Sequence, residues 1–160
     1  MARRIITIAT YKGDAREIFL RALEPAEAET ASKGYTSFSG MPDHPLREGE
    51  TYTLDVTTLK IFKTRGYQIH MEKVDPEACV FISREKGGAV KSWVHHMSVI
   101  QQGEHAIWTD DVTVDAGWLT WLVARIGQGM YRHRHQSRGP VHLESRNISC
   151  LLYTSDAADD

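Results

Sequence analysis

The sequence predicts an α+β fold in which a curved antiparallel sheet of about six or seven strands wraps a long C-terminal helix, with two short helices after the first strand. Three observations predict it. Segments between residues 50 and 115 alternate apolar and polar side chains with a period of two, separated by turn formers, the pattern of a sheet with one buried and one wet face. After Gly117 the apolar period changes to that of an amphipathic helix. No repeat, linker or second long helix is available, so that single helix must cover the sheet's apolar face. One helix cannot fill the concave side alone, and a cavity or cleft is the expected remainder.

The elements follow in order. Residues 3–11 are rich in β-branched side chains and read as a first strand, broken by Lys12-Gly13. Asp14 is placed to cap a helix, and Glu17 completes a capping-box pattern. Ile18, Phe19, Ala22 and Leu23 share one helical face. Pro25 stops that helix and opens a second, Ala26 to Ser32, closed by Gly34. Tyr35 to Phe38 reads as a short strand, and residues 40–49, dense in Gly, Pro and Asp, as a loop. Strands are then expected over Glu50 to Leu59, Gly66 to Lys73, Ala78 to Arg84, Lys91 to Gln101 and Glu104 to Asp115. Asp75-Pro76, Lys86-Gly87-Gly88 and Gln102-Gly103 supply the turns. On the closing helix, expected from Ala116 to Gln136, Leu119, Leu122, Val123, Ile126 and Met130 form the apolar stripe. Gly139-Pro140 ends it.

The chain of 160 residues suits one domain, and 41% hydrophobic with 25% charged residues is ordinary globular composition. The longest apolar-rich stretch, residues 116–126, is too short and too interrupted to span a bilayer. Arg3-Arg4 is not followed by the apolar run of a secretory signal, so a cytoplasmic location is expected. The run from Cys150 to Asp160 reads as the translation of a transposon-end sequencing adapter, which would make the chain an environmental fragment with a non-native tail. Without that tail 19 basic and 18 acidic residues remain, and Cys79 is the one cysteine, in keeping with a reducing compartment. Near-neutral charge gives no argument for nucleic acid as a partner.

This order of elements resembles the START-like superfamily, also called SRPBCC, with its helix-grip fold. The resemblance is carried by the opening strand leading into Gly13-Asp14-Ala15-Arg16-Glu17-Ile18-Phe19, by the strand containing Trp93, and by the Thr109–Gly117 strand feeding the Trp118–Tyr131 helix. It implies a START-like ligand-binding domain over residues 1–140, followed by an extension over 141–149 with no assigned element. It also implies a hydrophobic small molecule, of lipid, polyketide or aromatic type, held between helix and sheet. The cyclase and dehydratase members make an enzyme the alternative, and a non-catalytic interaction module is a third reading. The oxygenase branch is excluded, since a lone Cys79 cannot build an iron–sulfur cluster. No cofactor is expected.

Polar residues on apolar faces are the informative ones, because burying them unpaired is costly. His95 continues the face of Trp93, Met97 and Val99, and Asp110 lies between Trp108 and Val112 in the same sense. If their strands pair across Gln102-Gly103, both face the cavity, where a carboxylate would orient the imidazole for acid–base work or ligand anchoring. A purely structural pair, or a bulge turning one outward, is the plain alternative. Tyr52 and Tyr67 offer hydroxyls on the inner face, and Ser83 and Glu85 continue the face of Phe81. The expected lining is thus Tyr52, Tyr67, Phe81, Trp93, His95, Met97, Trp108, Asp110, Leu119, Leu122, Val123, Ile126 and Met130, with plain core the competing role for the tyrosines and tryptophans.

No native metal site is expected. His95 and His96 point to opposite faces of a strand, and His133 and His135 diverge on a helix. The cluster Arg132-His133-Arg134-His135 with Arg138 is expected as a solvated helix end, which leaves contact with an anionic membrane surface open.

Overall fold

The computed structural model describes residues 1–150, so of the run Cys150 to Asp160 read above as an adapter translation, residues 151–160 lie outside the described residues. β1 (Arg3–Lys12) is followed by α1 (Ala15–Ala22), α2 (Pro25–Ser32), β2 (Thr36–Ser39), β3 (Thr51–Thr58) and β4 (Phe62–Asp75). β5 (Val80–Gly87), β6 (Val90–Gln102), β7 (His105–Asp115), a 3-10 turn at Gly117–Leu119, α3 (Thr120–Arg138) and β8 (His142–Ser149) complete it. The predicted α+β architecture, with two short helices after the first strand and a long helix late in the chain, is the observed one. β8 falls in the stretch beyond 140 to which the sequence assigns no element.

The eight strands form one sheet in the order β2-β3-β4-β5-β6-β7-β1-β8, and every neighbouring pair is antiparallel. From β2 to β7 each strand pairs with its successor. β1 then inserts between β7 and β8. Register shifts at Leu54/Val56, Met71/Lys73 and Glu85/Gly87 mark bulges, which bend and twist the strands that carry them. Gly87 has φ 153°, and a Cβ there would lie 2.8 Å from the Tyr67 ring, so this bulge sets where Tyr67 stands.

α1 starts where Asp14 accepts a hydrogen bond from the Glu17 amide, the reach expected of an N-cap. Its Phe19 is fully buried and joins Leu54, Met71, Met97 and Val99 in one apolar cluster. Ile5, Trp93, Val112, Val114, Ala124 and Tyr131 form a second cluster beneath α3.

The face α3 buries is not the predicted stripe. Thr120, Ala124, Gly127, Tyr131 and His135 are buried, at helical spacing. Small residues in its first half let the axis approach the sheet closely: a Cβ at Gly127 would stand 2.4 Å from the Trp93 ring. Val123, Ile126 and Met130 therefore lie on the helix flank, half-buried. Trp118 and Trp121 stay 84% and 56% exposed, outside the core.

The basic end of α3 also departs from expectation. Arg132 is exposed, but Arg134 and Arg138 are only partly exposed and His135 is fully buried. The reason is periodicity: positions 131, 134, 135 and 138 continue the inward face of 124 and 127. Partners await them there. Arg138 forms a bidentate ion pair with Glu27 on α2, and Arg134 Nε donates to Ser32 Oγ at 2.7 Å.

Candidate functional site

Between the two apolar clusters the sheet and α3 separate and line a cavity of about 230 Å³ that opens to solvent. Its walls come from the sheet (Tyr67, Ile69, Phe81, Trp93, Trp108), from α3 (Val123, Ile126, Met130, Tyr131) and from the α2 side (Ala28, Glu27). The volume lies just below the ~300–1,000 Å³ usual for ligand pockets, which suits a small ligand.

One end is polar. In the β6–β7 hairpin Asp110 stands opposite Met97 and His95 opposite Val112, so the two lie diagonally on the same face. His95 Nε2 donates to Asp110 Oδ1 at 2.7 Å, and Trp108 Nε1 donates to the same oxygen at 3.1 Å. His135, arriving from α3, donates through Nε2 to Asp110 Oδ2 at 2.7 Å. All four are buried. Burial alone would push the Asp110 carboxyl up, but the hydrogen bonds from His135 and His95 outweigh it and hold the group far below the usual carboxylate range. A permanent carboxylate here accepts only, so each imidazole presents Nε2–H to it.

In the neutral form of each imidazole, Nδ1 is then left as an acceptor. Tyr11 Oη lies 2.6 Å from His135 Nδ1, and Tyr131 Oη 3.4 Å from His95 Nδ1. Both hydroxyls stay protonated. Burial pushes Tyr131 well above its ordinary value, and Tyr11 is pushed up to about 12 by burial, despite the nearby Arg138. The result is one buried chain: Tyr131, His95, Asp110, His135, Tyr11. The N···O separations of 2.7 Å leave no room for an ion between imidazole and carboxylate, since metal–ligand bonds of ~2.0–2.2 Å would hold those atoms farther apart. Among the described residues no cluster of His, Cys, Asp and Glu could hold a metal ion.

A second polar group faces the same space. Tyr67 Oη donates to Glu85 Oε2 at 2.9 Å and Ser83 Oγ to Glu85 Oε1 at 2.8 Å. Burial, then the Glu85 charge, push the Tyr67 hydroxyl well above its ordinary value.

Of the residues singled out from sequence, Tyr67, Phe81, Trp93, His95, Trp108, Asp110, Val123, Ile126 and Met130 border the cavity. Four do not. Tyr52 sits in the α1 cluster, its hydroxyl donating to Glu50 and accepting from the Arg47 amide. Met97 is buried in the same cluster. Leu119 lies in the 3-10 turn and Leu122 on a half-buried helix face, because α3 is rotated relative to its apolar stripe. Sequence reasoning missed Tyr11, Tyr131, Arg134 and His135. The signal for the last three was present: they extend the small-residue face of Ala124 and Gly127 at helical spacing.

No family model matches the sequence, and no curated protein matches it. Solved structures do match the fold. Protein Ms6760 from Mycobacterium smegmatis is 14% identical with a TM-score of 0.67, over 83% of this chain and 86% of that one. TTHA0849 from Thermus thermophilus is 12% identical with a TM-score of 0.62, over 84% and 95%. DynU16, a protein of the dynemicin biosynthetic locus, is 11% identical with a TM-score of 0.58, over 83% of this chain and 46% of that one. At such identities the likeness establishes the fold alone: a helix-grip-like sheet wrapped around a long C-terminal helix. No helix among the described residues is long and apolar enough to cross a membrane.

Proposed function

We propose that this chain is a START-like protein that binds a small hydrophobic molecule, of lipid, polyketide or aromatic type, between α3 and the sheet. The observation that carries this reading is the cavity itself: largely apolar walls closed at one end by the His95–Asp110–His135 cluster. Apolar walls would supply affinity, and a few fixed polar groups orientation. His95, Asp110 and Tyr67 are the orienting groups. Native mass spectrometry of the full chain, with organic extraction, tests it. A stoichiometric hydrophobic adduct that weakens in His95→Ala or Asp110→Ala is expected, and ligand retention unchanged in both would refute the assignment.

The buried relay favours a second reading, a cyclase- or dehydratase-like enzyme in the same cavity. Asp110 fixes Nε2–H of His95, which leaves Nδ1 as the basic nitrogen beside Tyr131. There it would take a proton from an acidic C–H of a bound substrate. DynU16's origin in a biosynthetic locus is in keeping with this. Under this reading His95→Gln abolishes turnover while ligand still binds; under simple binding there is no turnover to lose.

A further inference from the structure

We propose that Arg134 anchors the carboxylate of an apolar acid held in this cavity; the inference rests on the reading of the cavity as a binding site and narrows its ligand class. Arg134 borders the cavity from the inward face of α3. Its Nε donates to Ser32 Oγ at 2.7 Å, and its guanidinium carbon lies 5.7 Å from the ring centres of both Phe38 and Tyr131. Among the described residues no carboxylate stands within ion-pairing distance of it, and its Nη groups make no hydrogen bond.

Every other charge of the cavity wall is engaged. Arg138 holds Glu27, Asp110 holds two imidazoles and an indole, and Glu85 takes the hydroxyls of Tyr67 and Ser83. Arg134 is thus a partly exposed cation on the cavity wall whose partners among the described residues are one hydroxyl and two aromatic faces. A guanidinium keeps its charge in such a place and offers a planar fork that a carboxylate matches with two parallel hydrogen bonds.

The rest of the wall says what the acid carries. Phe38, Ile69, Phe81, Val123, Ile126 and Met130 call for an apolar body. A doubly charged phosphate is disfavoured, because Glu27, Glu85 and Asp110 border the same space and would repel it. A single negative charge on a small aromatic or short aliphatic skeleton satisfies both the fork and the ~230 Å³ available.

Isothermal titration calorimetry on the full chain tests this with three matched acid and amide pairs: benzoate and benzamide, 2-naphthoate and 2-naphthamide, octanoate and octanamide. At least one acid should bind about tenfold or more tightly than its amide, as charge-assisted hydrogen bonds allow. In Arg134→Met that preference should disappear while the amide's affinity stays within about twofold. Arg134→Gln, of similar length but uncharged, gives the same readout should the Met variant fail to fold. Equal affinity for acid and amide in the wild type would overturn the proposal, as would a preference that survives both substitutions; the cavity would then still be a binding site. If no member of any pair binds, the proposed acid anchor is overturned, while the binding site itself is judged by the extraction experiment above.

Discussion

Replacing Asp110 with Ala removes the acceptor for three buried N–H groups: Nε2 of His95, Nε2 of His135 and Nε1 of Trp108. Each buried donor left without a partner costs about 1–3 kcal/mol. The vacated space opens onto the cavity, so water can reach some of these groups, and a total of about 3–5 kcal/mol is expected rather than the full sum. Asp110→Asn should cost less, about 1–2 kcal/mol, because its carbonyl still accepts from His95 and Trp108, and His135 can shift its proton to Nδ1 and donate to Tyr11. Urea unfolding followed by tryptophan fluorescence measures both, with unchanged slope and shifted midpoint as the signature of a true stability change. A cost under about 1 kcal/mol for Asp110→Ala, or an Asn variant less stable than the Ala one, would show that Asp110 does not hold these three donors.

Acid titration gives a further prediction. Asp110's carboxyl is depressed in the folded state, so its contribution is complete above the unfolded carboxylate pKa of ~3.9 and is lost as pH falls below it. The wild type should therefore lose stability more steeply than Asp110→Asn between about pH 4 and 2, read as urea midpoints across that window. Gly127→Ala should destabilise by about 1–3 kcal/mol despite better helix propensity, because its methyl meets the rigid Trp93 ring; thermal unfolding checks it. Tyr11→Phe, which strips the 2.6 Å partner from His135 Nδ1, should cost about 0.5–1.5 kcal/mol in the same assay. Trp118→Ser should change stability by no more than about 0.5 kcal/mol, given that side chain's exposure.

The parts of the fold legible in the sequence are those written in local periodicity. The alternation of Tyr67, Ile69 and Met71, or of Trp93, His95 and Met97, names the inner face of β4 and β6 without reference to the rest of the chain. The Gln102-Gly103 turn then brings His95 and Asp110 together, so half of the polar cluster could be read from one hairpin. The other half depends on how α3 is rotated, and its apolar stripe misleads. Ala124 and Gly127 face the sheet because small side chains permit close approach, a packing requirement that hydrophobicity does not encode. That rotation carries Tyr131, Arg134 and His135 inward, where a basic helix end would be expected to meet water. β8 was illegible for a related reason. Beyond Leu143, which packs on the core, its inner contacts are polar, Thr7 with Ser145 and Arg3 with Asn147, so the segment lacks an apolar alternation.

The insertion of β1 between β7 and β8 has a consequence for how the protein comes into being. Ile5 pairs with Val112 on one side and Asn147 on the other, so both neighbours of β1 are translated more than a hundred residues later. At ~5–20 residues per second a ribosome leaves that strand without its partners for roughly 5–30 s. The β2-to-β7 meander can zip up locally during this interval. β1 cannot, and its unsatisfied backbone and apolar Ile5 and Ala9 stay open to a chaperone for that time.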